Sequence, residues 1–124
     1  LLAGQPPKVI GTLNKSFLLQ IFESFVYQSL AVYAEVNEAE LSHFRTSDGT
    51  REIDFIIEKD DVIVLIEVKS KSAITTHDVR HLNWFEEKVK GEFKVQKIIV
   101  TTGSQAYTRQ DGVHVVPVAL LGAI

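Results

Sequence analysis

Val62-Ile63-Val64-Leu65-Ile66-Glu67-Val68-Lys69 opens as an unbroken apolar run, mostly β-branched, and ends in two charges. Such a run reads as a strand covered on both faces, the pattern of an inner strand in a mixed or parallel sheet. Period-2 geometry puts Glu67 and Lys69 on one face with Ile63 and Leu65, while Val62, Val64, Ile66 and Val68 line the other. A carboxylate and an ammonium at the end of a core strand are costly unless paired with each other or with a ligand. Two readings follow: a structural ion pair at the strand mouth, or a catalytic carboxylate and lysine. The stretch alone does not choose between them.

The rest of the composition narrows the class. At 124 residues, with 45% hydrophobic and 23% charged residues, the chain has the length and balance of one globular domain. No apolar run approaches the roughly 20 residues that span a bilayer, and no secretory signal opens the chain. Zero cysteines exclude disulfides, thiolate metal sites and cysteine nucleophiles, so a cytoplasmic protein without membrane partners is expected. The absence of methionine and the opening Leu1-Leu2-Ala3-Gly4 point to a chain that begins inside a longer polypeptide. A formal charge of −3 argues against an autonomous DNA binder, but not against an enzyme whose DNA is delivered by an attached domain.

Outward from the central stretch, the preceding segment is a meander. Glu40 to Arg45 alternates weakly as an edge strand, with His43 on a partly exposed face, and Asp48-Gly49 centres a turn. Arg51 to Glu58 alternates cleanly, with Ile53, Phe55 and Ile57 on one face and Glu52, Asp54, Ile56 and Glu58 on the other. Lys59-Asp60-Asp61 then turns the chain into the central strand. Asp54 thus lies mid-strand beside the strand that bears Glu67, and the two carboxylates are expected to converge.

Further upstream, Asn14 is an N-cap for a long helix to about Ala34, with Leu18, Ile21, Phe22, Phe25, Val26, Leu30 and Tyr33 as its buried stripe. Glu23 leans toward the core edge among Leu19, Val26, Tyr27 and Leu30; a snorkelling side chain is the alternative. Residues 1–13, with Gly4, Pro6-Pro7 and Gly11, read as a lead-in, and 14–124 as the domain. Downstream, Thr76 caps a helix from His77 to about Val89, ended by Gly91. His77 and His81 stand four apart, a spacing compatible with a metal pair, although no third ligand is in view. Val95 to Thr102 is a buried strand parallel to the central one through this crossover. A short strand over Val113–Val116 and an apolar tail close the chain. The order αβββαβ defines an α/β sandwich with a central mixed β-sheet flanked by helices.

Acid, hairpin, then Glu-x-Lys is also a family signature. Arg51-Glu52-Ile53-Asp54, a turn, and Ile66-Glu67-Val68-Lys69 resemble the PD-(D/E)XK phosphodiesterase superfamily, which includes restriction endonucleases and Holliday-junction resolvases. Phe22-Glu23-Ser24-Phe25-Val26, Phe44-Arg45-Thr46, Glu52-Ile53-Asp54-Phe55-Ile56 and Ile98-Ile99-Val100-Thr101-Thr102-Gly103 add a narrower likeness. That pattern resembles the nuclease-like C-terminal domain, of unknown function, on a widespread family of bacterial and archaeal AAA-type ATPases. The likeness runs from about Ile10 to the end; Arg80-His81-Leu82 departs from it where a small residue often precedes the leucine. It implies a restriction-endonuclease-like fold, an N-terminal AAA-type ATPase in the same polypeptide, and DNA as partner. It further implies Glu23, Asp54, Glu67 and Lys69 as catalytic residues. The carboxylates of Asp54 and Glu67, the Val68 carbonyl and Glu23, directly or through water, would hold Mg2+ or Mn2+. A catalytically silent module that docks the ATPase on DNA or protein is the alternative, in which exposed cations such as Lys71, Arg80, Lys88 and Lys97 would carry the affinity.

Overall fold

The computed structural model describes residues 15–123. The expected lead-in over 1–13 and the Asn14 cap lie outside the described residues. Helix α1 spans Lys15–Val36 and leads into strands β1 (Glu40–Arg45), β2 (Glu52–Lys59) and β3 (Val62–Lys69). Helix α2 (Arg80–Val89), entered through a 3-10 turn over His77–Val79, crosses to β4 (Lys94–Thr101). Strands β5 (Tyr107–Thr108) and β6 (His114–Pro117) and a 3-10 turn over Val118–Ala123 complete the order.

One six-stranded sheet in the order β1-β2-β3-β4-β6-β5 organises the molecule. Antiparallel pairs join β1, β2 and β3, whereas β3 runs parallel to β4 and β4 to β6, so the sheet is mixed as expected. Parallel pairing demands a crossover, and α2 supplies it on one face. There Val79, Leu82 and Phe85 pack on Ile63, Leu65, Ile99, Val113 and Val115. Helix α1 covers the other face, its Phe22, Val26 and Leu30 meeting Ile57, Ile66, Val68 and Val100 together with Val118 and Leu121 of the last turn. Strand β3 is therefore enclosed between two helices, which is why it reads as a continuous apolar run. No helix among the described residues is long and apolar enough to cross a membrane.

Four local expectations are corrected. Among the described side chains of α1 the buried stripe is Val26, Leu30 and Ala34 with Phe22 beside it, while Phe25 is 51% and Tyr33 47% exposed; the expected members Leu18 and Ile21 lie outside the described side chains. Each residue turns the helix by about 100°, so Phe25 stands well round from Val26, and Tyr33 overhangs an open hollow beside Ile57 and Val64. The faces of β2 are the second correction. Ile53 joins Ile56 on the α2 side while Phe55 and Ile57 face α1, so strict alternation fails between Ile53 and Ile56. The cause is a bulge: Ser42 pairs Ile56 but Phe44 pairs Ile53, which leaves an extra residue on β2.

Third, Thr76 makes no capping hydrogen bond. Asp78 holds that turn instead, accepting from the Thr75 amide at 2.8 Å and the Thr75 hydroxyl at 3.0 Å, with Lys71 Nζ 2.9 Å away. Fourth, Lys97 is 4% exposed and is no surface cation. Its amine donates to Glu86 Oε1 at 2.7 Å, Asn83 Oδ1 at 2.8 Å and the Asp111 carbonyl at 2.7 Å. Among the remaining details, β5 had no sequence signal, and Gly103 has a packing reason. A Cβ at Gly103 would lie 3.2 Å from the Ser72 backbone, where the loops after β3 and β4 approach.

Candidate active site

The bulge decides the site. Pairing between β2 and β3 runs from Lys59↔Val62 to Phe55↔Ile66 and goes no further. Beyond that point the strands splay, and the Val68 amide, pointing in the sheet plane toward β2, loses its backbone acceptor. Asp54 replaces it: Asp54 Oδ2 accepts from Val68 N at 2.8 Å. The bulge thus turns Asp54 into the gap, one residue from both Glu67 and Lys69 in the facing strand.

Glu67 follows the parity of Ile63 and Leu65, on the α2 side, as the alternation predicts. It is 3% exposed, its Oε2 stands 3.9 Å from Lys69 Nζ, and its Oε1 is buried without a hydrogen-bond partner. Burial first, and then the charge of Asp54, push the Glu67 carboxyl up to about 8, against the opposing pull of Lys69. Asp54 is also raised, chiefly by burial, although the Val68 hydrogen bond opposes the rise. Each carboxyl resists ionisation unless positive charge arrives.

Glu23 sits on α1 at the rim. It shares a hollow with Asp54, Tyr27, Ser42 and His43, and burial followed by the charges of Asp54 and Glu52 raises its carboxyl. Asp54, Glu67 and Lys69 are therefore brought together at the splay, and Glu23 looks onto it from the α1 side. Among the described residues no group of three His, Cys, Asp or Glu side chains is close enough to hold one metal ion. His77 and His81 differ in environment: His77 is exposed, and His81 is buried with Nδ1 unpartnered. The spacing of His77 and His81 singled out His81 only as half of a metal pair, yet it stands in a cationic neighbourhood. Burial, then the charges of Arg80, Arg51 and Lys69, hold its imidazole below the ordinary range.

The donor set suits a hard divalent cation. Asp54 has one oxygen engaged by Val68 and one left over, Glu67 carries an orphaned buried oxygen, and both are oxygen ligands of the kind Mg2+ and Mn2+ take. A buried acceptor with no donor is an unstable arrangement that a cation would relieve.

These features define an α/β domain with a helix-flanked mixed sheet, splayed at an inner strand pair so that an Asp meets a Glu-x-Lys strand end. The chain belongs to the DUF4143 family, described as a domain of unknown function, whose family profile matches residues 20–121. That match takes in all four of Glu23, Asp54, Glu67 and Lys69. No curated protein matches the chain in sequence. Among solved structures, the chain is similar to the MspJI restriction endonuclease in complex with a 27-mer oligonucleotide, with 16% identity and a TM-score of 0.47. The alignment covers 99% of this chain and 34% of that one, so the chain spans about a third of that protein's length.

Proposed function

We propose that this chain is a divalent-metal-dependent phosphodiesterase domain of the DNA endonuclease type, carried by a longer polypeptide with an AAA-type ATPase on its N-terminal side. The observation that carries the reading is the Asp54–Val68 bond across the splay beside the orphaned oxygen of Glu67. Asp54 and Glu67, with the Val68 carbonyl and Glu23, would hold Mg2+ or Mn2+. When bound, the ion supplies charge that polarises a phosphodiester and acidifies water.

The chain's own residues do the rest. The Val68 amide fixes one oxygen of Asp54 and leaves the other pointing into the gap. Burial around Glu67 strengthens every charge interaction there relative to water. Lys69, anchored near Glu67 and part-exposed, offers its ammonium to negative charge developing on a phosphoryl group or orients the attacking water. Glu23, on the open side, is placed to accept a proton or a water hydrogen bond.

A second reading is that of a silent module docking the ATPase on DNA or protein, which the net charge of −3 favours over an autonomous enzyme acting on DNA. Cleavage of plasmid or oligonucleotide DNA with Mg2+ or Mn2+ separates the two. Lys69→Ala and Glu67→Ala should each lower cleavage by at least ~100-fold with binding little changed. Cleavage that survives Glu67→Ala in a clean preparation would place the active site elsewhere. No cleavage in any form would overturn the hydrolytic reading.

A further inference from the structure

The chain is acidic overall, at −3, yet its cations without carboxylate partners are not scattered. Among the described residues, Lys69, Lys71, Lys90, Lys94, Lys97, Arg45 and Arg109 all have a carboxylate within 4.0 Å. Arg51, Arg80, Lys88 and Lys59 do not. The first three gather beside α2. Arg51 Cζ lies 5.2 Å and Lys88 Nζ 5.7 Å from the centroid of the Trp84 ring. Arg80 begins the same helix, and its positive charge acts on Glu67 itself.

That rim is rigid. Trp84 is held by Phe44 at 6.1 Å and Phe85 at 6.3 Å, and Phe44 meets Phe85 edge-on at 5.0 Å. Arg51 is fixed at its backbone, where its amide donates to Thr46 Oγ1 at 3.1 Å and its carbonyl accepts from Thr46 N at 2.9 Å. Asp48 braces the same turn with three hydrogen bonds from Thr46 and Thr50. Three residues beyond Arg51, strand β2 carries Asp54 into the splay.

Two uncompensated cations at one indole, with a third, Arg80, four residues before Trp84 on the same helix, form a surface for a polyanion beside the Asp54–Glu67 gap. We propose that Arg51, Arg80, Lys88 and Trp84 form the track on which a nucleic-acid strand lies, its phosphates on the cations, so that a backbone phosphate reaches the Asp54–Glu67 gap. This deepens the reading given above and rests on it. Each phosphate contact releases counterions, so affinity on the track falls with salt. The indole face adds a stacking surface for an unpaired base that displaces a cation from it. The shared chemistry is the phosphodiester backbone, of either a single strand or a duplex.

The test uses the whole chain, without divalent ions so that binding is read apart from cleavage. A labelled single-stranded oligonucleotide and its duplex are titrated at low salt by fluorescence anisotropy. The chain holds one tryptophan, so intrinsic emission reports Trp84 directly. Both substrates should bind, with Trp84 emission quenched in parallel. Arg80→Glu and Lys88→Glu should each weaken binding about tenfold and flatten the log Kd against log salt slope by roughly 1. Lys59→Glu makes the same charge change on a cation that donates to the Asn37 carbonyl, as Arg80 does to the His77 carbonyl, but lies at the far end of β2 from Arg51, and should alter binding less than about twofold. Tighter binding and stronger quenching by the single strand would support stacking on Trp84; equal values would support backbone contact alone. Equal loss from Lys59→Glu and Lys88→Glu, unquenched Trp84 in a formed complex, or no binding at low salt would each overturn the track. Track-dependent binding without Mg2+-dependent cleavage by the unaltered chain would support the track and overturn the hydrolytic reading only.

Discussion

Glu67 is a carboxyl that the fold makes reluctant to ionise, and that reluctance has a sign that can be measured. Its pKa rises from the ordinary 4.5 to about 8, with burial the leading cause and Asp54 the next. Between those two pH values the unfolded chain has lost the proton that the folded chain keeps, so the folded state loses stability as pH rises. Asp54 and Glu23 are raised too and act in the same direction. Asp78 and Asp111 act oppositely: burial pushes each up, but their hydrogen bonds and charge partners prevail and hold both low. Their contribution is present above the ordinary carboxylate range and is lost as pH falls through it. Urea denaturation in chelator should therefore show stability falling from about pH 5 to pH 8, with Glu67 contributing on the order of 3 kcal/mol. Glu67→Gln should flatten most of that fall. A wild-type profile that rises over this interval would mean that Glu67 is ionised in the metal-free fold.

At the scale of elements, Lys97 shows what a strand hides. It lies in β4 opposite Leu65, and its amine ties β4 to Glu86 and Asn83 of α2 and to the loop at Asp111. Lys97→Ala would remove three hydrogen bonds and leave Glu86 facing unpaired polar groups. A loss of about 3 kcal/mol in chemical denaturation is expected, while Lys97→Met, which keeps the stem's packing, should lose less. A loss below about 0.5 kcal/mol would mean that water replaces the amine freely. Nothing in the sequence distinguished Lys97 from an exposed lysine, because its partners stand eleven and fourteen residues away on other elements. Much else was legible. The apolar run of β3, the hairpin turns and the helix between parallel strands place five of the six strands and the order β1-β2-β3-β4 around Glu67 and Lys69, but not where β6 joins the sheet. Asp54 was legible as a residue but not as a geometry. Alternation assigned Ile53 and Phe55 to one face, and only the three-dimensional pairing of β1 with β2 reveals the bulge that separates them and turns Asp54 into the gap. The Asp78 cap was missed for a related reason, since Thr76 fits the capping preference equally well in sequence.

Over the whole molecule, the distribution of charge sets a condition on the site. Three carboxyls, Glu23, Asp54 and Glu67, are each raised with burial as the first cause, and the charge of Asp54 acts on both of the others. Two helices and a six-stranded sheet thus hold like charge in a poorly solvated gap, and a divalent cation that enters it binds the folded chain alone. By mass action, Mg2+ or Mn2+ at tenfold its Kd adds about 1.4 kcal/mol, a rise in Tm of roughly 4–6 °C for a domain of this size. Asp54→Asn separates the cation from general packing. The amide oxygen still accepts from the Val68 N–H, so the splay keeps its bridge, while the negative charge that raises Glu67 and attracts the ion is gone. The expected result is a Tm in chelator at or above that of the unaltered chain, and a cation-induced rise cut to under about 1 °C. Monovalent salt at matched ionic strength is the reference, since screening acts on exposed charges wherever they lie. An unaltered chain whose melting ignores Mg2+ and Mn2+ at millimolar concentration would remove the cation from the site. The Asp54–Val68 bridge would then be a structural tie, and the docking reading would take the place of the enzyme.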